Sequence, residues 1–224
     1  MEYIVCRAGQ RPELDGDFDG VGWRDANIIS IDRFHAESSD HRPVTRAKML
    51  YDDAGIYLAY QVSDRYVVCR NTEPQQMVCN DSCVEAFLQP RPDGGYFNFE
   101  LNCGGTMLLY YVADATRGPK GLAAAEPVHA ELMRRIRVYH SMPASVPEEI
   151  ELPTEWKVQY FVPFGLFERY VGDVKPTLAR GWRGNFYKCA DESSHPHWAS
   201  WSPIGDALNK SLLTHPTMTF ASSS

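Results

Sequence analysis

The residues with the most chemistry to offer in this 224-residue chain stand in two neighbouring stretches where polar and apolar types alternate. In 83–88 an extended chain puts Val84, Ala86 and Leu88 on one side and Cys83, Glu85 and Phe87 on the other. In 97–103 the apolar set is Phe97, Phe99, Leu101 and Cys103, and the opposite set is Asn98, Glu100 and Asn102. If both apolar sets face a core, Glu85, Asn98, Glu100 and Asn102 form one patch on adjacent strands. Asn is a poor strand former, so two of them flanking a Glu carry a cost that an ordinary solvent face does not require. Amides donate and accept, and carboxylates accept strongly, which matches the hydroxyls of a sugar. The same two carboxylates, Glu85 and Glu100, could instead act as the acid and base of a glycoside hydrolase.

A second concentration runs from Arg183 to Pro203. It holds Asn185, Tyr187, Lys188, Cys189, Asp191, His195, His197, Trp198 and Trp201. Two Trp three residues apart among Ser and Pro are poor candidates for two buried residues, and an exposed indole stacks on the apolar face of a pyranose. Trp198 or Trp201 is therefore the expected stacking residue, with Asn185 and Tyr187 beside it. The Cys and His spacing matches no zinc pattern. Asp52, Asp53, Asp64, Asp81 and Asp191 offer oxygen ligands near turns, so a structural calcium is an open expectation without a defined ligand set. No G-x-S-x-G, P-loop, dinucleotide fingerprint or HExxH is present.

The elements that must position these groups have period two. Strands are expected over 44–51, 56–62, 83–89, 96–103, 106–113, 132–139, 156–162, 182–189 and 217–220. Turns at Asp52-Asp53-Ala54-Gly55, 90–95 and Gly104-Gly105 join several of them. Segments 114–127 and 142–147 read as loops from their Gly, Pro and small residues. One short helix is expected near 164–170, after Pro163. The pattern predicts an all-β chain, an antiparallel β-sandwich resembling a jelly roll, in one domain over 1–224.

Composition bounds the function from the other side. Lys and Arg number 22 against 29 Asp and Glu, giving a net charge of -7, which argues against a nucleic-acid binder or a polybasic membrane binder. The aromatic content is high, with 5 Trp, 12 Tyr and 10 Phe, so where the rings sit decides what is core and what is site. Six cysteines in a chain this long are read as buried thiols, not a disulfide scaffold. The N-terminal residues lack the pattern of a secretory signal, which points to the cytoplasm, or to an extracellular or periplasmic place if a leader has been removed.

Several ordered motifs resemble the family 9 carbohydrate-binding modules. They are Trp23, the run from Tyr51 to Asp64, Asp81-Ser82-Cys83-Val84-Glu85-Ala86-Phe87-Leu88, Phe97-Asn98-Phe99-Glu100-Leu101-Asn102, the run from Trp156 to Phe164, and Gly181-Trp182-Arg183-Gly184-Asn185-Phe186-Tyr187. The chain is similar to a stand-alone branch of that family in Asn-Phe-Tyr-Lys-Cys and Ser-Trp-Ser-Pro-Ile. The resemblance implies a β-sandwich that binds sugars, with two Trp clamping a terminal sugar and calcium as a structural ion in the xylanase-linked members. Segment 73–80 holds no Trp, so Trp198 or Trp201 with a Tyr is expected to substitute.

The first reading is thus a non-catalytic domain that binds a mono- or oligosaccharide, of plant-polysaccharide origin, in carbohydrate catabolism. Its expected ligand-binding residues are Glu85, Asn98, Glu100, Asn102, Asn185, Tyr187, Trp198 and Trp201. The alternatives are an O-glycosyl hydrolase using Glu85 and Glu100, and a sensor of a non-sugar ligand in which Cys83, Cys103 and Cys189 are functional.

Overall fold

The computed structural model describes residues 2–118, 121–204 and 216–221. Sixteen strands are described: β1 (Glu2–Arg7), β2 (Ile29–Ile31), β3 (Arg33–Phe34), β4 (Val44–Tyr51), β5 (Gly55–Asp64), β6 (Val67–Cys69), β7 (Cys83–Gln89), β8 (Tyr96–Asn102), β9 (Met107–Gly118), β10 (Gly121–Pro127), β11 (Arg137–His140), β12 (Val146–Ile150), β13 (Thr154–Pro163), β14 (Trp182–Ala190), β15 (His197–Ser200) and β16 (Thr217–Ala221). Three short helices accompany them, α1 (Ala130–Met133), α2 (Phe164–Val171) and α3 (Lys175–Leu178). Among the described residues no helix is long and apolar enough to cross a membrane.

The strands run in the order β10-β9-β8-β7-β14-β16-β1-β4-β5-β13-β11, and β12 pairs with β6 separately. Pairing is antiparallel except at β1, which lies parallel to both β16 and β4. The sheet folds over on itself, so its two halves face each other across a shared core. Phe99 of β8 lies against Tyr160 of β13 with ring centroids 6.2 Å apart, and the Tyr60 hydroxyl of β5 donates to the Glu85 carbonyl of β7 at 3.1 Å. Trp156, Trp182, Phe97, Phe99 and Phe186 are buried in this core, as period-two patterning requires of inward positions. Helix α2 closes one end by burying Phe164, Leu166 and Phe167. Its first residue donates its N–H to the Ala54 carbonyl, and Gly172, at φ +74°, supplies the left-handed C-terminal residue.

The all-β sandwich follows the expected strands, with three local corrections. Residues 132–139 are not one strand, because the α1 turn takes up Leu132 and only Arg137–His140 is extended. Segments 114–127 and 142–147 are not simply loops. Most of the first is the β9–β10 hairpin, although Pro119 and Lys120 lie outside the described residues, and Val146 opens β12. The turn between β8 and β9 has Gly105 at φ +87°, packed so closely on the His140 ring that a Cβ there would lie 2.5 Å from it.

Candidate functional site

The register of β15, β14, β7, β8 and β9 turns the alternation of each strand into rungs across one outer face. One rung reads Trp198, Cys189, Cys83, Asn102. The next reads Ser200, Tyr187, Glu85, Glu100, Leu108, and the third Asn185, Phe87, Asn98, Tyr110. Residues directly opposite in a ladder have Cβ atoms about 4.5–5.5 Å apart. Glu85 and Glu100 are therefore immediate neighbours, with Tyr187 flanking Glu85 on its other side.

Both carboxylates sit low in the face: Glu85 is 0% exposed and Glu100 8%. The Asn98 amide donates to Glu100 Oε1 at 2.8 Å, and the Cys189 thiol donates to Glu85 Oε1 at 3.1 Å. Burial pushes the Cys83 thiol up to about 12, with the nearby Glu85 and Glu100 charges adding to it. Cys189 is raised well above its ordinary value by its hydrogen bond with the Cys83 thiol and by burial. Cys79 is raised as well, by burial first and then by Glu100. These thiols stay protonated at neutral pH, so they are weak donors and packing groups and not nucleophiles. Cys103 is not beside this face: it points into the core, where its thiol is paired with that of Cys69.

Two apolar clusters wall the carboxylates. Val78, Cys83, Leu108 and Cys189 pack with Cys79, Tyr110 and Trp198. Phe87, Tyr96, Val112 and Tyr187 pack with Tyr110, Leu122 and Ile204, so Tyr110 belongs to both. Trp198 is half-buried, and its indole N–H donates to Asp191 Oδ1 at 2.8 Å, which fixes the ring. Against it opens a cavity of about 330 Å³ lined by Arg33, Phe34, His35, Tyr187, Ser200 and Ile204 among others. Arg33, His35 and Ser200 were not expected from the sequence. Ser200 is set beside Tyr187 by the β14–β15 pairing, and Arg33 and His35 reach the site because β15 also pairs with β3, a contact that no local pattern announces.

Other expected site residues are drawn into the fold. Asn102 donates to the Asn71 carbonyl and to Asp81, and its oxygen accepts the Thr106 N–H, so it ties the β8–β9 turn to the segment before β7. Asn185 donates to the Ser202 carbonyl and accepts the N–H groups of Phe186 and Ser202. Trp201 is a core residue, 8% exposed and packed edge-on to Tyr3 and Phe186. Of the two indoles, the one on this face is Trp198. The Asp candidates for calcium are dispersed: Asp52 accepts the Ala54 and Gly55 N–H groups, Asp53 pairs with Arg7, Asp81 accepts two backbone N–H groups, and Asp191 holds Trp198. Among the described residues these Asp side chains do not gather with other His, Cys, Asp or Glu into a group of three that could hold a metal ion.

Behind the face, in the interior, lies a charged cluster that the sequence reading missed. Lys188 of β14 is 0% exposed, and its Nζ lies 3.5 Å from Asp64 Oδ2, 2.8 Å from His197 Nε2 and 3.0 Å from the Cys189 carbonyl. Asp64 also accepts from His41 at 2.7 Å and from the Trp156 indole at 3.2 Å. His197 Nδ1 lies 2.9 Å from the His195 carbonyl, so a neutral ring donates there and accepts from Lys188. Burial, then the Lys188 charge, drives His197 down to about 3. Burial alone would raise Asp64, but Lys188, His41 and His197 outweigh it and hold the carboxyl well below its usual range. The cluster clamps β15, and with it Trp198, onto β14 and β5.

A β-sandwich with a polar rung between aromatic walls defines a ligand-binding module, and comparison with known proteins agrees in class. The model of carbohydrate-binding family 9 matches residues 21–219, and the chain belongs to that family. A candidate carbohydrate-binding protein from Bacteroides uniformis ATCC 8492 has a similar structure, with a TM-score of 0.82 at 23% identity over 98% of this chain and 99% of that one. A family 9 carbohydrate-binding module from Caldicellulosiruptor kristjanssonii, solved with cellotriose, gives a TM-score of 0.64 at 14% identity over 100% of this chain and 95% of that one. The same kind of module from that organism, solved with glucose, gives 0.62 at 13% identity over 100% and 97%. No curated protein matches the chain.

Proposed function

We propose that the chain binds a mono- or oligosaccharide on the outer face of β15, β14, β7 and β8, as a binding module serving carbohydrate catabolism. The observation that carries this reading is the direct pairing of Glu85 with Glu100 between two aromatic walls. Asn98 and Glu100 donate to and accept from sugar hydroxyls, the fully buried Glu85 backs Glu100 from beneath, Trp198 stacks on the ring, and Tyr187 flanks Glu85. The family, and the cellotriose and glucose found with two structural neighbours, support this class of ligand. Calorimetry with glucose and cello-oligosaccharides tests it. Binding that falls at least tenfold in Glu100→Ala is expected; absence of binding to every neutral glycan tried would overturn the reading.

The Glu85–Glu100 register also favours a second reading. Directly opposed residues have Cβ atoms about 4.5–5.5 Å apart, close enough for their carboxyl groups to reach the separation of about 5–5.5 Å used by retaining glycosidases. Turnover of aryl glycosides that disappears in Glu100→Gln would establish hydrolysis; binding without turnover leaves the first reading. A sensor built on reactive thiols has less support, because Cys83 and Cys189 are buried and held protonated.

A further inference from the structure

The cavity between β3 and β15 differs in charge from the rung beside it. Glu85 and Glu100 give the rung an acidic floor, whereas the cavity presents the Arg33 guanidinium and the His35 ring beside Trp198 and Ser200. Arg33 donates from Nε to the Trp201 carbonyl at 3.1 Å. That bond fixes the plane of the guanidinium, while its terminal amino groups carry the remaining donors. Among the described residues no carboxylate lies within 4.0 Å of it. A second guanidinium, Arg42, stacks at 4.8 Å on the ring of Phe34, which lines the cavity, without lining it itself. The acidic groups nearby are engaged: Asp191 holds the Trp198 indole, and Glu37 approaches His35 from an exposed position. At about 330 Å³ the cavity is at the small end of ligand sites, the size for one ring and not a chain.

We propose that this cavity is a subsite for an acidic sugar unit, a uronic acid whose planar carboxylate meets the Arg33 fork in two parallel hydrogen bonds. It rests on the sugar-binding reading above and names the ligand class more narrowly: an oligosaccharide with one unit hydrogen-bonded at Asn98 and Glu100 and a carboxylated unit beyond Trp198. Guanidinium and carboxylate are geometrically matched, and such charge-assisted pairs are about twice as strong as neutral ones.

The test compares three oligosaccharides of equal length: a neutral one, one carrying a glucuronic acid unit, and the methyl ester of the latter. Calorimetry should show the acid binding about tenfold more tightly than its ester, with the advantage shrinking as salt is raised. Arg33→Gln should abolish that advantage, so that acid and ester bind alike, while a native circular dichroism spectrum and thermal midpoint report that the variant is folded. Arg33→Lys should keep only part of it, since an ammonium lacks the fork. Equal binding of acid and ester, or a preference that survives Arg33→Gln, overturns the subsite while the sugar-binding face stands. Failure of all three glycans to bind overturns the face and the subsite together.

Discussion

Consecutive residues of β14 serve two polar regions with opposite fates. Lys188 points inward to Asp64 and His197, while Tyr187 and Cys189 point outward beside Glu85 and Trp198. The interior group is closed on itself: ammonium, carboxylate and imidazole satisfy one another and nearby backbone groups, as burial demands. The outer group is built around an opening. Its Asn98 donates to Glu100, but the Asn98 carbonyl oxygen has no hydrogen-bond partner among the described residues, and a cavity adjoins Trp198. Burial of charge is therefore not the mark of the site. On the proposed reading the mark is polar atoms beside an aromatic wall and a cavity, and the interior cluster is the frame that holds that wall still.

Opening the interior group should have the largest effect on the molecule. Lys188→Met should leave Asp64 and His197 without their shared cation and lower unfolding free energy by about 3–5 kcal/mol, read from urea midpoints. A loss below about 1 kcal/mol would mean that the cluster is not a frame. Close behind comes the pair of tryptophans. Trp201→Ala should cost about 3–5 kcal/mol of stability, with the folded fraction still binding sugar, because Trp201 packs on Tyr3 and Phe186. Trp198→Ala should do the reverse, with a small change in thermal midpoint and a tenfold or greater loss of affinity in calorimetry. If the two variants exchanged these effects, the stacking surface would lie elsewhere.

Much of this division was legible in parity. The strands that became β7, β8 and β14 were readable because apolar residues recur every second position, and that alone put Glu85, Asn98 and Glu100 on one face. The three-residue spacing of Trp198 and Trp201 is odd, so in extended chain the two rings point opposite ways; one had to be core. Lys188 shares its parity with Phe186, which was a signal that it points inward. What parity does not carry is partnership. Asn102 and Asn185 have the outward parity of site residues, yet Asp81, Thr106 and Ser202 claim their amides, and those partners come from distant segments. Arg33 entered the site only through the β3–β15 pairing. The β10 strand was hidden because Gly and Ala have low strand propensity, and the edge of β9 recruits it regardless.

Acid should weaken the interior group and leave a smaller, graded loss of stability. His197 has a folded value of about 3 against an ordinary 6.5, so between those values the unfolded chain binds the extra proton. The stability that it contributes is complete above about 6.5 and is lost as pH falls toward 3, by about 1.4 kcal/mol per pH unit within that window. Asp64, also depressed, adds a loss in the same direction, but only below its unfolded value of about 3.9. Urea midpoints at pH 7 and 5 should therefore differ in the native chain, and His197→Asn should remove most of that difference. An unchanged slope would assign the acid sensitivity to other groups.

The smallest expected effect falls on the outer face and bears most directly on what that face is for. Asn98→Ala removes one donor to Glu100 and a side-chain oxygen without a hydrogen bond among the described residues. Asn98 sits on the rung beside the paired carboxylates, opposite Phe87 and Tyr110. Replacing a poor strand former should restore part of the stability lost with the hydrogen bond, so unfolding free energy should move by no more than about 0.5 kcal/mol. Affinity for sugar should fall by about 1 kcal/mol, roughly fivefold, because the amide oriented by Glu100 is a ligand contact on this reading. A variant that loses stability but keeps its affinity would make Asn98 a structural prop of Glu100, and the polar rung would then narrow to the two carboxylates alone.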